Sequence, residues 1–135
     1  TGFNQVLQTL VQLTKSRSAG KKQRVSLLIV LNDRIADGRD VSWIWDVDFN
    51  YLKSVPIDQL IVSGDRSYDM ALRLKHANLS SLNHQPLIIN HLKKAVITLS
   101  NQNNKKLYIL PTYTAMLEVR RILAQKGLVH STWKD

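Results

Sequence analysis

Asp33, Asp37, Asp40, Asp46 and Asp48 fall within seventeen residues, and two of the three tryptophans, Trp43 and Trp45, lie among them. Carboxylates at that density can hold a divalent cation, orient a base or pair with cations. The spacing fails the EF-hand pattern of oxygens at alternate loop positions closed by Glu, so no dedicated metal site is expected. Asp37-Gly38 reads as a turn, Asp48 as a helix cap and Asp46 as the partner of a nearby arginine. His76, His84, His91 and His130 lack metal-ligand spacing and sit at helix faces or ends, as surface histidines do. The absence of cysteine excludes disulfides, thiolate metal sites and a cysteine nucleophile within this chain. A carboxylate without a resident Cys–His or Ser–His pair is not a self-contained nucleophilic site. If Asp40 is catalytic, the imidazole it orients therefore belongs to another polypeptide, since a triad carboxylate acts by fixing the tautomer and stabilising the imidazolium. Trp43 and Trp45 suit a protein interface equally well as packing on a sheet edge.

These residues need elements to position them. Phe3, Val6, Leu7, Leu10 and Val11 recur at helical spacing, predicting a helix over 3–14 with Phe3 to Val11 toward the core. Val25 to Leu31 is a continuous β-branched-rich run, as expected for a central parallel strand buried on both faces. A short helix over 49–54 follows Asp48 and ends before Pro56. Further strands are expected at 60–63, 87–89 and 107–110, the last broken by Pro111. Helices are expected from Ser67 or Asp69, carrying Met70, Leu72, Leu74 and Ala77 on or near the buried face, and over 91–101 with Leu92, Ala95, Val96 and Leu99 inward. A last helix runs from Thr112 or Thr114 to Lys126 with Met116, Leu117, Val119, Ile122 and Leu123 apolar, and Gly127 ends it. Strands alternating with helices specify an α/β fold: a Rossmann-like, open, mainly parallel sheet with helices on both faces. Functional loops in such sheets lie beyond the carboxyl ends of the strands. Three loops meet that edge, at 32–42, 63–67 and 111–114, and they offer Asn32, Arg66, Thr112, Tyr113 and Thr114 as substrate contacts.

At 135 residues the chain fits a single domain. It begins at Thr1 inside a helix start, so it is expected to be cut from a longer protein. No run of eighteen apolar residues and no signal-type start is present, so the expected site of action is cytoplasmic. The net charge is +9, yet eight of the ten acidic residues lie between Asp33 and Asp69. A basic body thus carries one acidic region, and residues 16–23 (SRSAGKKQ) form a basic loop. Such a surface attracts anionic partners, whether nucleic acid, a membrane face or a phosphorylated substrate. A basic nucleic-acid-binding α/β module is therefore an alternative, although no RNP, KH or helix-turn-helix signature supports it. Neither G-x-G-x-x-G nor G-x-x-x-x-G-K-[ST] occurs, which argues against nucleotide hydrolysis by this domain alone. Ser63-Gly64-Asp65-Arg66 reads as a strand-to-helix turn before an anion site.

The stretch from Leu31 to Phe49, LNDRIADGRDVSWIWDVDF, closely resembles the start of the MurT C-terminal domain, which belongs to the Mur-ligase-like subunit of the MurT/GatD lipid II isoglutaminyl synthase. Gly2-Phe3-Asn4 and Pro111-Thr-Tyr-Thr-Ala-Met116 resemble that family's entry segment and last strand-to-helix turn. The resemblance implies a Mur ligase C-terminal-domain fold and glutamine-dependent amidation of D-glutamate in the lipid II stem peptide during peptidoglycan synthesis. It implies a GatD-type glutaminase partner with a Cys–His pair, lipid II as substrate of the complex, and work at the inner face of the membrane with peripheral contact to anionic lipid. Nucleic acid is then not expected as a partner. Asp40 falls on the Asp of the family's D-G-R-D motif, which is proposed to complete the glutaminase triad. Asp37, Gly38, Arg39, Ser42, Trp43 and Trp45 become partner-binding or loop-supporting candidates. ATP with Mg and a four-cysteine zinc ribbon belong to parts of that subunit absent from this sequence, so no cofactor is expected here and the isolated domain should be inactive.

Overall fold

Every residue of Val25–Val30 is buried, because helices cover both faces of the strand they form. The computed structural model describes residues 2–15, 24–79, 85–101 and 106–127. Within them the order is α1 (Gly2–Thr14), β1 (Val25–Val30), two 3₁₀ helices (Ser42–Asp46 and Phe49–Ser54), β2 (Ile57–Ser63), α2 (Ser67–Ala77), β3 (Leu87–Ile88), α3 (Leu92–Ser100), β4 (Lys106–Pro111) and α4 (Tyr113–Gln125). The four strands form a parallel sheet in the order β3-β2-β1-β4. The fold is α/β and Rossmann-like, and no described helix is long and apolar enough to cross a membrane.

The period of two along β1 divides the core. Leu27 and Ile29 face a cluster with Leu7 and Leu10 of α1, Ile44, Phe49 and Leu52 of the 3₁₀ helices, and Met70 and Leu74 of α2. Leu28 and Val30 face the opposite cluster, with Ala95, Val96 and Leu99 of α3 and Ala115 and Val119 of α4. One layer therefore holds α1, α2 and the 3₁₀ helices, and the other holds α3 and α4. The chain passes from β3 at one edge to β4 at the other, so the strand order reverses beside β1, and the loops after β1 and β4 flank that switch point.

Val6 and Leu72, expected on or near buried faces, meet solvent instead, and so does Leu117, expected only as an apolar position of the last helix. Val6 (43% exposed) flanks the line of Phe3, Leu7, Leu10 and Thr14 that α1 turns inward. Leu72 and Leu117 are 49% and 40% exposed. Each lies two residues, about 200° of helix, from the buried Met70 and Ala115, which puts it on the outer face. β2 starts at Ile57, three residues before the expected Leu60, because Ile57 pairs with Val25 and Gln59 with Ser26 of β1, the register shifting past Asp58 between them. Pro111 ends β4 inside the sheet, opposite Val30, instead of breaking it; β4 is an edge strand, where a missing N–H is tolerated. The basic 16–23 segment, His84 and His130 lie outside the described residues.

The hydroxyl of Ser26 is fully buried with no hydrogen-bond partner among the described residues, and the Gln59 side-chain oxygen of the neighbouring strand is in the same position. An unused buried hydroxyl adds nothing to folding, whereas one in use is worth about 1 kcal/mol. Ser26→Ala is accordingly expected to leave the urea midpoint unchanged or to raise it; a drop would show that the hydroxyl is engaged.

Candidate functional site

Leu31 donates its N–H to the Ser63 carbonyl (3.0 Å) and Thr112 donates to that of Val30 (3.0 Å), so the three loops leave the carboxyl edge of the sheet side by side. Short polar side chains then tie them. Asn32 donates from its backbone to Thr112 Oγ1 (3.0 Å) and from its amide to Thr114 Oγ1 (3.1 Å), while its Oδ1 accepts from the Asp65 N–H (3.0 Å). Asp37 Oδ1 accepts from the Thr114 N–H (2.8 Å) and Oδ2 from the Thr114 hydroxyl (2.5 Å) and the Arg34 N–H (3.1 Å). It thereby caps α4, whose own N-cap, Thr112, makes no side-chain cap bond. Asp37 does sit in the expected turn, with Gly38 at φ +91°, but its larger task is this cap. Replacing Asp37 by Ala should destabilise the domain by about 1–2 kcal/mol in urea unfolding, as loss of a partly buried cap does.

The remaining charges near the edge are mostly paired. Arg66 donates to Asp69 (2.7 Å) and Asp33 (3.2 Å), and the Asp69 and Asp33 carboxylates raise its pKa above the ordinary arginine value against a small opposing burial effect. Arg34 bridges Asp65 (3.1 Å) and Glu118, and its pKa is raised by the Asp65 hydrogen bond first. Asp48 does cap the second 3₁₀ helix, accepting from the Asn50 N–H at 3.1 Å. Asp46 forms no ion pair among the described residues; the arginine nearest its helix, Arg73, goes to backbone carbonyls instead. No three metal-ligating side chains converge among the described residues.

Beyond Gly38 the chain runs outward through Arg39 and Asp40, both exposed. Asp40 Oδ1 accepts from the Ser42 N–H at 2.8 Å, an Asx turn that leads into the first 3₁₀ helix. That backbone bond, helped by the Ser42 hydroxyl, lowers the Asp40 pKa below the 3.8 of an ordinary aspartate. Asp40 is therefore ionised wherever an imidazole titrates, near pH 6.5. It lines an open cleft of about 300 Å³ with Arg39, Ser42, Trp45, Arg66 and Asp69.

The two tryptophans separate. Trp43 turns inward, its ring 5.6 Å from Phe3 against the core, whereas Trp45 is 47% exposed at the cleft wall. Trp45 stacks under the Arg73 guanidinium at 5.2 Å and meets the edge of His76 at 5.3 Å. The 3₁₀ geometry of this segment and the role of Arg73 escaped the sequence reading. One signal was there: Arg73 lies on the inward side of α2, beside Leu74 and one turn from Met70, where a charge needs a partner.

A larger cleft of about 470 Å³ opens between the loops after β1, β2 and β3 and helices α3 and α4, lined among others by Asn32, Arg34, Tyr68, His91 and Lys93. Of the substrate candidates only Asn32 reaches it. Arg66 lines the Asp40 cleft, Thr112 and Thr114 serve the loop tie, and Tyr113 is 55% exposed.

Residues 1–116, which hold this exposed carboxylate on its loop between β1 and a Trp-containing turn, match the family model described as MurT ligase C-terminal. The chain belongs to this family. It is 38% identical over 104 residues to the protein named lipid II isoglutaminyl synthase (glutamine-hydrolyzing) subunit MurT of Streptococcus pneumoniae, an overlap covering 77% of this chain and 23% of that protein. It is 50% identical over 52 residues to the protein of the same name in Staphylococcus aureus, covering 38% of this chain and 12% of the relative. The chain thus spans about a quarter or less of the curated relatives it matches. Within this MurT ligase C-terminal domain, the match extends across β1 to β4 and into the first turn of α4.

Proposed function

We propose that the chain is the C-terminal domain of the ligase subunit of a lipid II isoglutaminyl synthase, and that it docks a GatD-type glutaminase and lends Asp40 to that partner's Cys–His pair. The observation that carries this reading is the state of Asp40. It is an exposed, ionised carboxylate held by its neighbour Ser42 and lining a cleft, with no imidazole among its hydrogen-bond partners in the described residues. His76 is engaged elsewhere, its ring against Trp45 and Nδ1 by the Leu72 carbonyl, and His91 lines the larger cleft.

In the assembled enzyme the Asp40 carboxylate accepts the N–H of the partner's imidazole, fixing its tautomer and stabilising the imidazolium. The partner's thiolate attacks the glutamine carboxamide carbon, the imidazolium gives its proton to the departing nitrogen, and ammonia leaves. Water then cleaves the thioester to glutamate, and the thiolate is regenerated. The ammonia is consumed at the D-glutamate α-carboxyl of the stem peptide to give D-isoglutamine. Activation of that carboxyl by ATP with Mg, and a zinc-held ribbon, would belong to other parts of the longer subunit. This chain has no cysteine and no phosphate-binding glycine loop, so its residues fit neither group. Lipid II brings the complex to the inner membrane face, where a +9 chain favours peripheral contact with anionic lipid.

The test is glutamine hydrolysis by the assembled synthase carrying Asp40→Asn. Lost hydrolysis with assembly intact sustains the reading, and undiminished hydrolysis overturns it.

A further inference from the structure

Asp40 stands on an element that cannot hold itself. The first 3₁₀ helix is five residues long, and its backbone is closed by the bonds from Ile44 N–H to the Val41 carbonyl (3.1 Å) and from Val47 N–H to the Ile44 carbonyl (3.4 Å). So short a helix is unstable alone, because few hydrogen bonds offset the ordering of its backbone. Its start, Ser42, supplies the N–H that fixes Asp40, so any shift of the helix is a shift of the carboxylate.

Arg73 of α2 closes the other end. Its Nε donates to the Ile44 carbonyl and its Nη2 to the Val47 carbonyl, both at 2.8 Å, a fork spanning the two acceptors at the exit of the helix. The guanidinium also lies over Trp45 at 5.2 Å and Phe49 at 5.0 Å. Two carbonyls and two ring faces thus meet one cation. The side chain is partly buried, and α2 is itself anchored in the core by Met70 and Leu74. A lysine keeps the charge and can stack on the rings, but its ammonium is a point charge and lacks the planar fork that spans both carbonyls.

We infer that Arg73 is a positioning residue for glutamine hydrolysis: through the helix end it sets where Ser42 holds Asp40, and it fixes the outward face of Trp45 beside the cleft. The inference rests on the reading of Asp40 as the carboxylate that completes the partner's pair. Displacing such a group by about 1 Å costs on the order of 100-fold in rate.

The experiment uses the full synthase with Arg73→Lys, Asp40→Asn and the double variant, measuring kcat and KM for glutamine, complex assembly and melting temperature. Arg73→Lys is expected to lower kcat about 10- to 100-fold with KM within about twofold and with assembly retained. Placed on Asp40→Asn it should add no further loss, because it acts through that carboxylate. A residue that only stabilises the fold would give losses that multiply in the double variant, which would overturn the inference. Wild-type kcat in Arg73→Lys, with Asp40→Asn impaired, overturns it and leaves the Asp40 reading standing. Wild-type kcat in Asp40→Asn overturns both. Should Arg73→Lys fail to assemble, Arg73→Gln, which keeps one donor for one carbonyl, is read by the same cycle.

Discussion

Asp40→Asn is expected to lower glutamine turnover in the assembled synthase by about 10²- to 10⁴-fold while leaving the fold and subunit assembly intact. The introduced carboxamide still presents an oxygen to the Ser42 N–H, so the Asx turn that Asp40 makes at 2.8 Å survives. What is lost is the negative charge and the acceptor-only edge. The new amide nitrogen turns a donor toward the imidazole, favours the wrong tautomer and leaves the imidazolium unstabilised. The upper end of the range applies to a serine nucleophile, whose base must remove a proton. A cysteine paired with histidine is already ionised, so less depends on the tautomer and the lower end is closer.

The pH dependence follows from the same residue. The hydrogen bond from Ser42 lowers the Asp40 pKa in the folded chain. A depressed carboxylate pKa contributes stability that is present above the unfolded value and lost as pH falls through the folded one. That window lies below pH 3.8. The acidic limb of kcat should therefore report protonation of the partner's Cys–His pair, with no inflection from Asp40 down to about pH 4. A rate profile measured between about pH 4 and 8 that shows a carboxylate step would place Asp40 in a different environment.

Gly64→Ala is the second large effect, and it concerns stability. Gly64 has φ +99°, and a Cβ there would stand 2.5 Å from the Leu31 carbonyl oxygen and 2.9 Å from Asn32 Oδ1. Neither neighbour can retreat freely. The Leu31 carbonyl accepts from the Arg66 N–H at 2.9 Å, and Asn32 Oδ1 accepts from the Asp65 N–H at 3.0 Å. Backbone strain adds to the clash, and together they should remove about 3–5 kcal/mol, a large part of a domain's usual 5–15 kcal/mol. Gly38→Ala isolates the two contributions. Its φ is +91° but nothing lies within 4 Å of its Cβ, so only strain of about 1 kcal/mol is expected. Urea unfolding of both variants measures the difference, and equal losses would show that the crowding at Gly64 is relieved by small movements.

How far the sequence could be read depended on whether a feature is local. The unbroken apolar run of β1, the Asp48 cap and Gly127 at φ +72° after α4 are signatures written in neighbouring residues, and the structure holds each of them. The α/β order followed from the same signals. Asp37 was legible only as a turn, because its second task joins it to Thr114, 77 residues away. Arg73 meets Ile44 and Val47 across 29 and 26 residues, and no spacing rule announces such a pair. The start of β2 was hidden because Asp58 and Gln59 look like loop, yet Gln59 pairs with Ser26 of β1 and Asp58 sits where the register shifts between Ile57 and Gln59. The helical face misplaced for Leu72 had a simpler cause: apolar type was counted where the angle around the axis decides.

The segment from Gly38 to Val41 joins two anchorages on opposite sides of the sheet. Before it, Asp37 is fastened to α4; after it, Arg73 fastens the 3₁₀ helix to α2. A four-residue strap therefore crosses the rim between the two helical layers, and Asp40 is on it. A displacement of one helical layer against the other would therefore be felt at Asp40, since each end of the strap is fastened to a different layer.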